Sequence, residues 1–168
     1  MSKYDLEKIE IVNNWFNSID AKKGIGEDLF LSISQLTPMV NVDILIKNKN
    51  DETLLTWRSD QYYGPGWHVP GGILRFKETL VERLKKVARS ELSLKLDHID
   101  GPIGHHEMFN NTRDIRGHFI SFIYQAKINK DPPINLKSGE IPKDGEWKWF
   151  KNCPDNFIHN QNALRVYF

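Results

Sequence analysis

The chain holds a single cysteine, Cys153, among 168 residues. No disulfide can close within it, so a reducing, cytoplasmic setting is expected. No apolar run approaches the ~20 residues that span a bilayer, and residues 1–16 lack the order of a signal peptide. Net charge is nearly absent: 23 Lys and Arg against 22 Asp and Glu leave +1. Nothing in the bulk charge pulls the protein onto nucleic acid or an anionic membrane. There is no fixed-period repeat, and Pro132-Pro133, the one proline pair, is too short to be a linker. Fibrous, disordered, disulfide-framework and membrane classes are thereby excluded. One globular domain remains, at 39% hydrophobic residues and long enough to bury a core.

What is present reads as alternating strands and helices. Residues 3–19 carry Leu6, Ile9, Ile11, Val12, Trp15, Phe16 and Ile19 at mostly three- and four-residue spacings, which predicts an amphipathic helix. Residues 39–47 alternate Val40, Val42, Ile44 and Ile46, which predicts a strand with Asp43 on the opposite face. Thr53–Arg58 is its partner across a turn at 48–52. Residues 79–92 place Leu80, Leu84, Val87, Ala88 and Leu92 on one stripe, the clearest helix of the chain, with Arg83, Lys85, Lys86 and Arg89 expected on its wet face. Short strands are expected around Leu94, Leu96 and Ile103, a central strand over 117–128, a last strand over Trp147–Phe150 and a last helix over 156–168. Strands with a long crossover helix between them predict the α/β class, with a mixed sheet covered on both faces.

The chemically informative stretch runs from Pro70-Gly71-Gly72 to Glu91. Two glycines allow a tight turn and a close backbone approach to a ligand. Glu78 sits at or just before the N-terminus of the predicted helix, at the positive end of its dipole. Positions 87, 90 and 91 adjoin one another on the helix, so carboxylates there would converge on a hard cation.

This pattern resembles the Nudix box: Gly, five residues, Glu, seven residues, then Arg-Glu-apolar-any-Glu-Glu-any-Gly-apolar. Gly72 and Glu78 match. The box arginine falls on Lys86, its three later glutamates on Val87, Ser90 and Glu91, and its glycine on Ser93. The Glu78–Lys86 interaction is therefore expected to be loose. The GDP-mannose mannosyl hydrolase branch is similar in lacking two of the glutamates. The likeness extends over Thr37-Pro38-Met39-Val40 to Asp43, Leu54-Leu55 to Arg58, Trp67 to Gly72, Lys77-Glu78-Thr79-Leu80, Ser90-Glu91-Leu92 and the Trp149 strand, about residues 36 to 168.

The resemblance implies a Nudix-type α/β/α sandwich with a mixed sheet, residues 37–168 forming the core and 1–36 an N-terminal helix and extension. It implies Mg²⁺-dependent hydrolysis of a nucleotide sugar at the anomeric carbon, the nucleoside diphosphate leaving on its metal. Fewer carboxylates suit that reaction, because attack at carbon asks only that the leaving diphosphate be stabilised. By position, the Gly71 carbonyl and Glu91 would hold the metal, Arg58 would contact the diphosphate, Asp43 would share the site and Phe119 would lie near the substrate. Arg58 reads equally as a surface ion pair. An arginine expected after the glycine pair is Ile73 here, with Arg75 as a possible substitute. The branch's Gln-His pair, which supplies a base and a ligand, corresponds to Lys143-Asp144. Glu140, Asp144 and Glu146 are the alternatives there; Glu107 with His105-His106, in a different loop, are the others. His118 and His159 read as structural, and Trp57 or Trp67 could stack on a base. The expected partners are a small-molecule nucleotide sugar and, through the N-terminal helix, a second copy of the chain, with no nucleic acid or membrane.

Overall fold

A computed structural model describes residues 6–168. The chain starts with α1 (Leu6–Asn17), so the first residues of the helix expected over 3–19 lie outside the described ones. α2 (Glu27–Ile33) follows. Three strands, β1 (Met39–Ile46), β2 (Thr53–Arg58) and β3 (Gly66–His68), lead to β4 (Gly71–Ile73) and to α3 (Leu80–Leu92). β5 (His98–Phe109), β6 (His118–Lys127), β7 (Trp147–Phe150) and a 3-10 helix over His159–Tyr167 complete it.

The strands form two sheets. β4-β1-β6-β5 is mixed, with β1 parallel to β6 and its other pairs antiparallel. β3-β2-β7 is antiparallel. β1 has apolar residues on both faces, and each face meets its own core. Val42, Ile44 and Ile46 pack with Leu84, Val87, Ala88 and Leu92 of α3. Leu45 packs on the other side with Val69, Trp67, Ile123 and Leu164. Asp43 faces this second side, as the alternation predicts, and is fully buried.

α3 is defined at both ends by its own sequence. Thr79 and Glu82 form a capping box, the Glu82 N–H donating to Thr79 Oγ1 at 3.2 Å and the Thr79 N–H to Glu82 Oε2 at 2.8 Å. Ser93 closes it in the left-handed region at φ 53°, ψ 34°.

Four expectations need correction. Arg83 is not on the wet face: it is buried, at Leu80+3 and Val87−4 on the apolar stripe, because it pairs with Glu78. Gly71-Gly72 form a strand, not a turn. An added Cβ at Gly71 would collide with Asp43 Oδ1, and one at Gly72 would stand 2.7 Å from Val87 Cγ2, so close packing is what requires them. Leu94 and Leu96 lie in the connection after α3 rather than in strands, and Ile103 falls within the single long β5, so His105, His106 and Glu107 belong to a strand rather than a loop. The last helix is 3-10 and starts only at His159, with Gln161 off helical geometry at φ −105°, ψ 16° because its side chain is held by the core.

Candidate active site

β1, β2, β3, β4, the end of α3 and the 3-10 helix converge on a cavity of about 460 Å³, a size that suits a small organic ligand. Asp43, Arg58, Gly71, Glu91, Phe119 and Asp144 all line it, so chain segments up to a hundred residues apart are brought together. Arg75 is placed elsewhere, with Nη1 donating to the Lys23 carbonyl at 3.1 Å. Glu107 is also outside: it faces His118, 3.5 Å away, while its neighbour Met108 lines the cavity.

Glu78 anchors the helix rather than the cavity. Arg83 contacts it at 2.5 Å through Nη2 and 2.7 Å through Nε, Lys86 Nζ at 2.7 Å, and the Arg75 N–H at 3.1 Å. Burial pushes its carboxyl up, but Lys86, the Arg75 N–H and Arg83 together outweigh this and hold it below the usual range. The expected looseness at Lys86 is absent, since Arg83 supplies a guanidinium and the lysine is tightly paired as well.

Glu91, at the other end of α3, has no Lys or Arg paired with it among the described residues. His68 Nε2 is the nearest basic atom, 3.8 Å from Oε2. His68 Nδ1 lies 2.9 Å from the Thr56 carbonyl, which only accepts, so Nδ1 carries the proton and Nε2 presents a lone pair. Burial, and then the nearby Arg58, depress the imidazole to about 4, so the contact is not an ion pair. Burial raises Glu91 to about 8; Arg58 pulls it down and Asp43 pushes it up.

Asp43 is the polar hub beneath the cavity. Oδ1 accepts from Gln161 Nε2 at 3.0 Å, and Oδ2 accepts from Asn41 Nδ2 at 3.1 Å and, in a very short bond, from Ser121 Oγ. Burial still wins over all three donors and raises it to about 7. Gln161 also receives the Val69 N–H at 2.8 Å and donates to the Val69 carbonyl at 3.0 Å, tying the 3-10 helix to the strand before Gly71.

Sequence reasoning passed over His68, Gln161, Ser121 and Asn41. Gln161 left a trace: it stands between Ile158 and Leu164 at three-residue spacing, a polar residue within an apolar stripe. The bond partners of Ser121 and Gln161 on Asp43 lie 78 and 118 positions away, beyond any local pattern.

The donor set fits one divalent ion. Glu91 is a carboxylate that no Lys or Arg side chain pairs with among the described residues, Arg58 acting on it only through space. The bonds from Ile44 N–H to the Pro70 carbonyl and from Leu74 N–H to the Val40 carbonyl set the β1–β4 alternation. Gly71 therefore sits at a non-hydrogen-bonded position, and its carbonyl turns away from β1. Asp43 has both oxygens engaged by protein donors. No group of three His, Cys, Asp or Glu side chains is assembled for a metal among the described residues. One carboxylate and one carbonyl leave most of a coordination shell to water and substrate, an arrangement that Mg²⁺ accepts.

Arg58 stands at the rim, paired through Nε with Asp60 and stacked 4.7 Å from the Tyr63 ring centroid. Asp60 Oδ1 in turn holds the Tyr62 and Tyr63 N–H groups at 2.7 and 2.9 Å, which fixes the loop after β2. Asp144 Oδ1 accepts the Ser59 N–H at 2.9 Å, docking the loop before β7 onto the same rim. Trp57 lines the cavity, whereas Trp67 is packed edge-on between Trp57 and Phe150 in the core.

Comparison with known proteins agrees with this architecture. The NUDIX domain model matches residues 37–152. The low-salt glycan biosynthesis protein Agl8 of Haloferax volcanii is 30% identical over 111 residues, 64% of this chain and 70% of its own. The ADP-ribose pyrophosphatase of Methanocaldococcus jannaschii is 26% identical over 132 residues, 79% of this chain and 74% of its own. Among solved structures, a MutT NUDIX hydrolase from Burkholderia pseudomallei superposes with a TM-score of 0.60 at 18% identity, covering 78% of this chain and 95% of that one. The NUDIX domain of Shewanella oneidensis NrtR, solved with ADP ribose, gives 0.51 at 19% identity over 82% and 81%. A family model that covers more than half the chain, on a fold and box geometry that agree with it, establishes that the chain belongs to the Nudix hydrolase family.

Proposed function

We propose that the protein hydrolyses a nucleotide sugar, GDP-mannose-like, at the anomeric carbon and releases the free sugar and a nucleoside diphosphate. The observation that carries this reading is the sparse metal site. Glu91 is the one box carboxylate in the cavity, and Asp43 is engaged by Ser121, Asn41 and Gln161. Such a site suits a reaction whose only large charge is on the leaving group. The sugar-related relative from Haloferax volcanii supports it further.

Mg²⁺, held by Glu91 and the Gly71 carbonyl, would supply charge neutralisation for the departing diphosphate. Arg58 stabilises the same charge from the rim and exchanges its Asp60 partner for phosphate. Asp144 is the general base: Oδ1 is fixed by the Ser59 N–H, which leaves Oδ2 to take a proton from water. The water oxygen forms the new bond to the anomeric carbon, the carbon–oxygen bond to phosphate breaks, and its electron pair leaves with the diphosphate. Phe119 and Trp57 provide apolar lining for sugar or base. A cytoplasmic location and a dimer belong to the same reading. Leu6, Ile11 and Trp15 of α1 are exposed, and light scattering at micromolar concentration measures whether they join two copies.

A second reading, attack at phosphorus, is favoured by the ADP-ribose pyrophosphatase relative. Turnover of GDP-mannose in ¹⁸O-water separates the two. The first reading places the label in free mannose beside unlabelled GDP. Label in GMP or mannose phosphate would overturn it.

A further inference from the structure

The cavity holds a second arginine that the proposed chemistry leaves unused. Arg116 lines it together with Arg58, Tyr63 and Phe119. Its guanidinium lies against three rings, 4.6 Å from the centroid of Tyr62, 5.2 Å from Phe30 and 5.5 Å from Tyr63. Its backbone is fixed on both sides: the N–H donates to Ser34 Oγ at 3.0 Å, and the carbonyl accepts from Tyr63 Oη at 3.1 Å. The residue is held at φ 50°, in the left-handed region that a bulky side chain rarely occupies. Yet Nε is buried with no hydrogen-bond partner, and among the described residues no carboxylate lies within ion-pair distance of this guanidinium.

Arg58 makes an instructive contrast, because it shares the Tyr63 ring and already has Asp60. The acids that touch the cage are engaged elsewhere: Glu27 accepts from Tyr62 Oη at 2.9 Å, and Asp60 accepts from the Tyr62 and Tyr63 N–H groups and pairs with Arg58. Aromatic faces supply only part of what a guanidinium loses on leaving water, and an unbonded buried N–H adds to the cost. The fold therefore orients a cation toward the cavity and leaves it without an anion.

We propose that Arg116 is a second oxyanion-binding residue of this site and that its ligand is the nucleotide diphosphate, gripped together with Arg58. The proposal rests on the nucleotide-sugar reading for the ligand but not on its reaction. Three guanidinium groups gather on the Tyr63 ring. Arg113, at 4.5 Å, donates to the Tyr62 carbonyl and does not line the cavity, whereas Arg58 and Arg116 both do. Two such groups suit an anion with two adjoining charged groups. A single carboxylate, such as that of a uronic acid sugar, would engage only one of them.

Calorimetry on the full chain tests this by equilibrium binding, with GDP, GMP, UDP-glucose and UDP-glucuronate as probes. Arg116→Gln is expected to weaken GDP and both UDP-sugars by roughly tenfold to a hundredfold, the range for one charge-assisted pair, and GMP by much less. The Tm of the variant reports that the cage survives; if it does not, Arg116→Lys replaces it, with a smaller loss in the same order of ligands. GDP binding within twofold of wild type overturns the proposal. So does an equal loss for GMP, a loss confined to UDP-glucuronate, or wild-type protein that binds no diphosphate. Wild type that shows the expected pattern but releases no sugar sinks the hydrolytic reading and leaves Arg116 in place. Sugar release with unaltered binding by the variant does the reverse.

Discussion

Glu78 and Glu91 stand at opposite ends of one helix, and their surroundings drive them in opposite directions. Glu78 is closed in by Arg83 and Lys86 and held below the usual carboxylate range. Glu91 faces a neutral imidazole and is raised to about 8. Desolvation is the largest influence on both, so burial does not distinguish them; the presence of protein cations does. A carboxylate that the fold has neutralised is a strut. One that the fold has desolvated and left without a cation is a place for a cation from outside.

The comparison is most exposed to replacement of each glutamate by its amide. Glu91→Gln is expected to lower metal-dependent turnover at least about a hundredfold, since it removes the one carboxylate ligand. Without metal at pH 8 the same variant should be as stable as wild type or more so, because an amide needs no counter-charge. Glu78→Gln should do the opposite, keeping the metal site and losing on the order of 3 kcal/mol, since Arg83 is left buried beside a weaker acceptor. Urea denaturation and Mn²⁺ titration measure the two effects. A Glu91→Gln protein that binds Mn²⁺ as wild type does would end the distinction.

The pH dependence sharpens it at smaller cost. Folded Asp43 and Glu91 hold protons up to about 7 and about 8, while unfolded carboxylates release theirs near 3.8 and 4.5. Their contribution is therefore full below the ordinary carboxylate range and lost as pH rises toward 8. His68 runs the other way: depressed to about 4 from 6.5, it contributes fully above 6.5 and less as pH falls toward 4. Above pH 6.5 only the carboxylates still change, so metal-free stability should fall there, by on the order of 1 kcal/mol per pH unit for each proton involved. Asp43, raised to about 7, gives up its proton early in this window, whereas Glu91, raised to about 8, still holds its own, so Glu91 carries more of the slope toward pH 8. Thermal unfolding between pH 6.5 and 8 should show the fall in wild type and a shallower one in Glu91→Gln. A Tm that rises over this range would contradict both raised carboxylates.

How much of this could be read from the sequence follows the same division. The α/β class, the α3 stripe and the burial side of Asp43 were legible because each is a periodicity within one element. Gly72, Glu78 and Glu91 were legible because a single turn and a helix fix their spacing. Arg83 was assigned to the wet face because it is charged, although its position on the stripe pointed inward. His68 and Gln161 gain meaning only from partners on other elements, Thr56 across β2–β3 for one and Val69 and Asp43 for the other. A hub assembled by tertiary contacts leaves no spacing to read.

The smallest expected effect concerns the residue that ends the helix after Glu91. Ser93 occupies the box glycine position and is left-handed at φ 53°. The Ser93 N–H still donates to the Arg89 carbonyl at 3.1 Å and the Leu94 N–H to the Ala88 carbonyl at 3.0 Å, so the cap is formed but a Cβ is carried where glycine carries none. Ser93→Gly should therefore stabilise by about 0.5–1 kcal/mol, offset in part by the greater freedom of glycine in the unfolded chain. The change touches neither Glu78 nor Glu91, so the pH slope should be unaltered while the whole Tm curve moves up by a degree or more. A changed slope would mean that the cap sets the depth at which Glu91 is buried, and the two ends of the helix would then be coupled rather than independent.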